Sequence, residues 1–131
     1  MTIGGYELKV IETGSFALDG GAMFGVVPKP LWQKTNPPDE TNRIALNARN
    51  LLLSSSSQNI LIDTGIGSYC DEKFIKIYGV DYSEYTQKKS FEQNGIDPEK
   101  ITDVILTHLH FDHTGGSTYL KDNKWLPTFP N

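Results

Sequence analysis

Thr107-His108-Leu109-His110-Phe111-Asp112-His113-Thr114-Gly115-Gly116 holds every histidine of the chain within six consecutive positions. Histidines placed singly in a core or on a surface do not concentrate this way. Metal ligation is a physical reason for such a cluster, because neutral imidazole and carboxylate together suit zinc, iron or manganese. Val104-Ile105-Leu106 precedes the cluster as a continuous apolar run, which predicts a short strand buried on both faces. On an extended segment His108 and His110, two apart, point to one side, and Leu109 and Phe111 are expected to point into the core. Asp112 and His113 fall in the turn beyond, where neighbours diverge, so two pairs of donors could serve two adjacent metals. Gly115-Gly116 permits close backbone approach.

Working outward, Ile60-Leu61-Ile62 reads as a strand running into Asp63-Thr64-Gly65. Ile44 to Leu53 reads as its partner, with Ser54 to Asn59 as the hairpin turn. Tyr6 to Glu12 predicts a strand, Thr13-Gly14-Ser15 a turn, and Phe16 to Leu18 a second short strand. Asp71 to Tyr78 places Phe74, Ile77 and Tyr78 on one helical face. A second helix is predicted from Ser83 as cap to Asn94, with Gly95 as its C-terminal stop. Pro98 opens a short helical turn. A short helix could follow Gly116 to Leu120, and Trp125 to Asn131 shows no clear element.

Gly21 to Pro38 carries Met23, Phe24, Val26, Val27, Leu31 and Trp32 beside Pro28, Pro30, Pro37 and Pro38. That proline density excludes a long helix or a central strand. An apolar loop of this kind either plugs a core or walls a binding cleft.

The 131 residues suffice for one domain, and a composition 37% hydrophobic and 21% charged is that of a globular protein. A net charge of −4 with scattered lysines and arginines gives no footprint for nucleic acid. The single cysteine, Cys70, has acidic neighbours and reads as a structural or surface thiol. No signal peptide pattern or long apolar run is present, so a soluble cytoplasmic protein without membrane contact is expected.

The histidine segment resembles the signature of the metallo-β-lactamase superfamily, and Ile62-Asp63-Thr64-Gly65, 45 residues before His108, resembles that family's earlier aspartate motif. The order of hairpin, Asp-Thr-Gly, helices, strand and histidine loop agrees. Within the superfamily, His-Phe-Asp-His and the Gly-Gly-Ala-Met-Phe-Gly-Val-Val-Pro stretch are most similar to the lactone- and ester-hydrolysing branch.

The resemblance implies an α/β fold: the N-terminal half of an αββα sandwich, with a mostly antiparallel, mixed sheet and helices on one face. It implies that His108 and His110 bind one divalent metal and Asp112 and His113 a second, with zinc the first choice and iron or manganese also suited. Asp63 would sit behind these ligands and orient their loop by hydrogen bonding; alone, it would read as a turn carboxylate before glycine. The implied activity is hydrolysis of a small ester or lactone by a metal-bound hydroxide, with Asp112 moving a proton. Thioester or phosphodiester hydrolysis, or a non-catalytic binding or assembly role, are the alternatives.

Family members supply further ligands from a second half. No histidine follows His113, and Asp122 lies too close to the motif to be the bridging aspartate and reads as a loop acid. Residues 1–131 are therefore expected to form a single partial domain, carrying half of a binuclear site. Such a piece is expected to hold metal weakly or not at all. It is also expected to self-associate through the surface that a second half would cover.

Overall fold

The computed structural model describes residues 1–130. A five-stranded mixed sheet has the order β1 (Thr2–Ile3), β2 (Tyr6–Asp19), β3 (Arg43–Ser54), β4 (Asn59–Ile62), β5 (Asp103–Ile105). All neighbours are antiparallel except β4 and β5, which run parallel. A parallel pair needs a long crossover, and residues 63–102 provide it through α3 (Glu72–Tyr78), α4 (Gln87–Asn94) and a 3-10 turn at Pro98–Lys100.

The strand period of two sorts the sheet's side chains onto two faces. Ile11, Leu52 and Leu61 point to the helical face and are buried with Phe91, Ile101 and Phe129. A second cluster on that side joins Phe16, Ala48, Ile66 and Val80. Each fully buried aliphatic or aromatic side chain contributes roughly 1.5–3 kcal/mol. On the opposite face, Val10, Leu51, Ile62 and Ile105 line up in register across four strands. Among the described residues no helix covers this row, and Val10 and Ile105 are exposed.

Several sequence expectations are corrected. Thr13-Gly14-Ser15 is not a turn. β2 runs straight through it with a register shift between Glu12 and Gly14. Gly14 has φ +147, a backbone that glycine adopts without strain, so the extra residue becomes a bulge. β5 is not buried on both faces: it is an edge strand, and Ile105 is 52% exposed. The second helix starts at Gln87, not after Ser83. Thr86 is its cap, its hydroxyl accepting from the Lys89 N–H. The Ser83 N–H instead donates to Asp81 Oδ1 in the preceding turn.

No α-helix follows Gly116. A 3-10 turn, Gly115–Ser117, leads into a hairpin of β6 (Thr118–Lys121) and β7 (Lys124–Pro127). Asp122 and Asn123 form its tip, both with positive φ (51 and 59). That is the backbone a two-residue hairpin turn demands, and Asp-Asn between two four-residue runs was the signal for it. Of the segment Trp125 to Asn131, Asn131 lies outside the described residues.

The proline-rich segment forms two short helices, α1 (Gly20–Phe24) and α2 (Lys29–Trp32). Trp32 is buried and stacks on Phe24 at 5.1 Å. Met23, Val26, Val27 and Leu31 remain exposed. One tryptophan thus plugs the core while the rest of the loop faces solvent. Among the described residues no helix is long and apolar enough to cross a membrane.

Candidate metal centre

Because β4 and β5 are parallel and paired Ile62 to Ile105, their C-terminal ends lie side by side. Asp63 leaves one end and Thr107-His108 the other, the usual position for a site in a sheet of this kind. The Asp63 N–H still donates to Ile105 O at 2.9 Å, so the pairing extends one residue beyond the strand. Asp63 itself has φ +60, a left-handed conformation that costs a non-glycine residue of order 1–3 kcal/mol and clusters at functional sites.

The Asp63 carboxylate gathers the loop. It accepts from the Thr107 N–H at 2.8 Å and from the Thr107 hydroxyl, which lies 3.0 and 2.9 Å from its two oxygens. It also meets His113 Nδ1 at 2.7 Å. Burial pushes the Asp63 carboxyl upward, but these bonds from Thr107 and His113 outweigh it and hold the group below its ordinary value. A carboxylate only accepts, so Nδ1 of His113 carries the proton and Nε2 is turned outward. Nε2 lies 3.2 Å from Asp112 Oδ2.

The three imidazoles form one cluster. The His108 ring is 4.6 Å from that of His110 and 3.9 Å from that of His113. His108 Nε2 and His110 Nδ1 are 3.1 Å apart. The structure therefore brings all four sequence-predicted donors together and places Asp63 behind them. It differs from expectation in two respects, the first being that Asp112 and His113, both on α5 (Phe111–Thr114), do not diverge at their tips, where Oδ2 and Nε2 lie 3.2 Å apart. Phe111 points into the core as expected, packing against Phe16, Phe74 and Tyr78. Leu109 does not, and is 81% exposed, because the chain has left the strand before reaching it.

The glycines serve the scaffold. A Cβ on Gly115 would fall on the Ile66 carbonyl, and one on Gly116 would meet Thr64 O and Gln87. The Thr64 N–H donates to His113 O at 2.7 Å, and the Gly116 N–H to Gly65 O at 3.2 Å. Close approach thus welds the histidine loop to the Asp-Thr-Gly segment. Two residues with roles here escaped the sequence reading. Thr107 bridges Asp63 to the loop, and Gln87 Nε2 donates to Thr64 O at 3.0 Å. Thr107 was visible as the residue before the motif; Gln87, far away in sequence, carried no signal.

Beside α5 opens a cleft of about 440 Å³, walled by Ile66, Tyr69, Phe74, Phe111, Thr114 and Trp125. Tyr69 and Trp125 meet edge to face at 5.4 Å across it. Cys70 also reaches this cleft, its Sγ 3.2 Å from the Tyr82 hydroxyl. Burial, then Cys70, pushes the Tyr82 phenol well above its ordinary value.

The donor chemistry fits a divalent metal. His113 Nε2 and Asp112 Oδ2 face each other as two electron-pair donors, and a cation between them, proton or metal, reconciles the contact. The site is not closed, however. Among the described residues no group of three or more His, Cys, Asp or Glu is arranged to hold one ion.

The chain is similar in fold to several solved structures. It shares 39% identity with a probable metal-dependent hydrolase from Staphylococcus aureus, with a TM-score of 0.83, covering 92% of this chain and 43% of that one. It is 26% identical to AidC, a dizinc quorum-quenching lactonase in complex with a product, with a TM-score of 0.67, covering 100% of this chain and 41% of that one. Hydrolase AbOPH, in the beta lactamase superfamily, shares the fold at a TM-score of 0.67 and 21% identity, covering 100% of this chain and 41% of that one. The chain thus spans less than half the length of each. No curated protein matches it in sequence. The Lactamase_B family matches residues 48–131, which contain β4, the Asp63 turn and the whole histidine loop. With that match and the 39% identity to the staphylococcal protein, the chain belongs to the metallo-beta-lactamase superfamily.

Proposed function

We propose that this chain supplies the N-terminal half of a metal-dependent hydrolase acting on small lactones or esters. The observation that carries the reading is the chain of contacts from Asp63 through His113 to Asp112, with His108 and His110 against it. His108 and His110 would hold one divalent ion, and Asp112 and His113 a second. Zinc suits these donors best, and iron or manganese also suit them. When bound, such ions acidify water and polarise the carbonyl under attack.

The chain's own side chains contribute positioning, proton transfer and a place for the substrate. Asp63 fixes the tautomer of His113 and aims Nε2 at the site. The Asp112 carboxylate, through the oxygen turned away from His113, takes the proton from the attacking water and returns it to the departing alkoxide. The aromatic cleft beside α5 gives an apolar substituent of the substrate a place to lie out of water. Lactones are favoured because a dizinc lactonase is 26% identical over the full length of this chain.

Titration with cobalt(II) followed by visible absorption, and hydrolysis of a lactone, a thioester and a phosphodiester by the metal-supplemented protein, test the reading. Binding lost in His108→Ala and His113→Ala, with the lactone preferred, is the expected result. Binding indifferent to both substitutions, or preference for the phosphodiester, would overturn it. The unclosed donor set favours a second reading, a binding or assembly role without turnover. That reading would be supported by metal binding with no hydrolysis of any of the three substrates.

A further inference from the structure

Thr13, Asn50, Asp63, Thr64 and Ser90 are the buried polar side chains among the described residues. Four of them are hydrogen-bonded. Thr13 donates to Ala48 O at 3.0 Å, Thr64 to His113 O at 3.0 Å, and Ser90 to Glu12 O. Asp63 accepts from Thr107 and His113. Asn50 stands apart. It is 2% exposed, and neither its Oδ1 nor its Nδ2 meets a partner among the described residues.

Its place in the fold is specific. The last β3–β4 pair toward the site is Leu51 with Ile62, so Asn50 and Asp63 lie one step beyond it on adjacent strands. Asn50 shares the helical face with Ala48 and Leu52, two residues to either side, both buried. On β2 its partner is Ile11, and two residues on, Thr13 packs directly under Gly65. The carboxamide therefore belongs to the layer beneath the Asp63-Thr64-Gly65 segment. A buried amide with no partner is destabilising, and an apolar side chain there would not be.

As the loop stands, no group of three or more His, Cys, Asp or Glu among the described residues surrounds one ion, and each proposed ion draws two donors from this chain. Any shift of His113 pulls on Asp63 through their 2.7 Å contact. Asn50 is the buried side chain whose donor and acceptor are still uncommitted to meet that shift.

We propose that Asn50 is a positioning residue for the metal loop: its carboxamide hydrogen-bonds the Asp63–Gly65 segment when His108, His110, Asp112 and His113 close on a divalent metal. This rests on the reading of those four residues as ligands. It acts through Asp63 and touches neither metal nor substrate.

Cobalt(II) alone is the probe, titrated into wild type, Asn50→Leu, Asn50→Ala, Asn50→Ser and His113→Ala, with melting of each metal-free protein measured alongside. Asn50→Leu is expected to melt no lower than wild type when metal-free, yet to bind cobalt about 10- to 100-fold more weakly, the usual loss when a group supporting a ligand is removed. Asn50→Ser, which keeps a donor, is expected to recover part of that affinity. Unchanged affinity in Asn50→Leu overturns the proposal. Should leucine prove too large to fold, Asn50→Ala decides by the same two readouts. A metal-free Asn50→Ala whose melting falls as much as its affinity points to a structural amide and overturns it too. Cobalt binding lost in His113→Ala but kept in the Asn50 variants removes only the role of Asn50. Binding equal in wild type and His113→Ala removes the ligand assignment, and this proposal with it.

Discussion

The Asp63 carboxylate lies 2.7 Å from His113 Nδ1, although fifty residues separate the two in sequence. The contact exists because β4 and β5 are parallel and end together. It fixes which nitrogen of His113 faces the site. Asp63→Ala is therefore expected to weaken cobalt or zinc binding about 10- to 100-fold while leaving every proposed ligand in place. Thr107→Val, which removes one of the bonds to the same carboxylate, should weaken it less. Titration of the purified variants against wild type checks both.

Gly115 has no room for a side chain, since a Cβ would overlap the Ile66 carbonyl. Gly115→Ala must push the histidine loop away from the Asp63–Gly65 segment. We expect a loss of at least ~2 kcal/mol in stability by urea denaturation, because backbone rather than a flexible side chain must give. Gly95→Ala is a useful contrast, since nothing lies within 4 Å of the added methyl. Its cost should be limited to the left-handed backbone, on the order of 1–2 kcal/mol.

Phe111 joins the metal loop to the core. Its ring meets Phe74 at 4.9 Å, Tyr78 at 4.7 Å and Phe16 at 5.6 Å. Phe111→Ala should cost ~3 kcal/mol, at the low end for aromatic truncation because the ring is only half-buried. The same variant should loosen α5 and lower metal affinity. Denaturation and cobalt titration on one preparation would show both losses, and loss of stability alone would separate the core from the site.

Acid stability has a definite sign. Hydrogen bonds from Asn42 and the Ala22 N–H hold Asp19 below its ordinary value. Bonds from Arg43 and Thr41 do so for Asp39, and from Ser83 for Asp81. Each group has a lower pKa folded than unfolded, so its contribution is present above the ordinary carboxylate range near ~4. It is lost as pH falls through the lower folded values. Melting temperature should thus hold down to about pH 4 as far as these groups are concerned, then fall. Asp39→Asn should flatten that fall, though these exposed groups make the effect modest.

The uncovered row Val10, Leu51, Ile62 and Ile105 is expected to drive self-association. Sedimentation at tens of micromolar protein should show species larger than a monomer. Val10→Lys combined with Ile105→Lys should shift them toward monomer without lowering the melting temperature, since both side chains are already exposed. A monomeric wild type at that concentration would dismiss the idea.

Much of this arrangement was legible in the residues themselves. The β3–β4 hairpin, α3 read as Asp71 to Tyr78, the Gly95 stop and the histidine loop follow from local chemistry acting within a few positions. Two of the errors fell where a neighbour distant in sequence decided the outcome. Thr13-Gly14-Ser15 has the composition of a turn, yet pairing with β3 carries the strand across it, and Ser15 is held by Asp81. Val104 to Leu106 has the composition of a central strand, yet here it occupies the edge. The β6–β7 hairpin was readable from Asp122-Asn123, whose residue types suit its turn, and was missed.

The sequence by itself determined which atoms could bind metal, because imidazoles and a carboxylate at that spacing have few other uses together. It could not determine how they face one another. Where His108 stands against His113, and which His113 nitrogen keeps its proton against the Asp63 carboxylate, are consequences of two strands ending side by side, while the packing around β3 buries Asn50 with no hydrogen-bond partner among the described residues. Such relations depend on distances between residues far apart in the chain. Only the packed tertiary structure sets those distances.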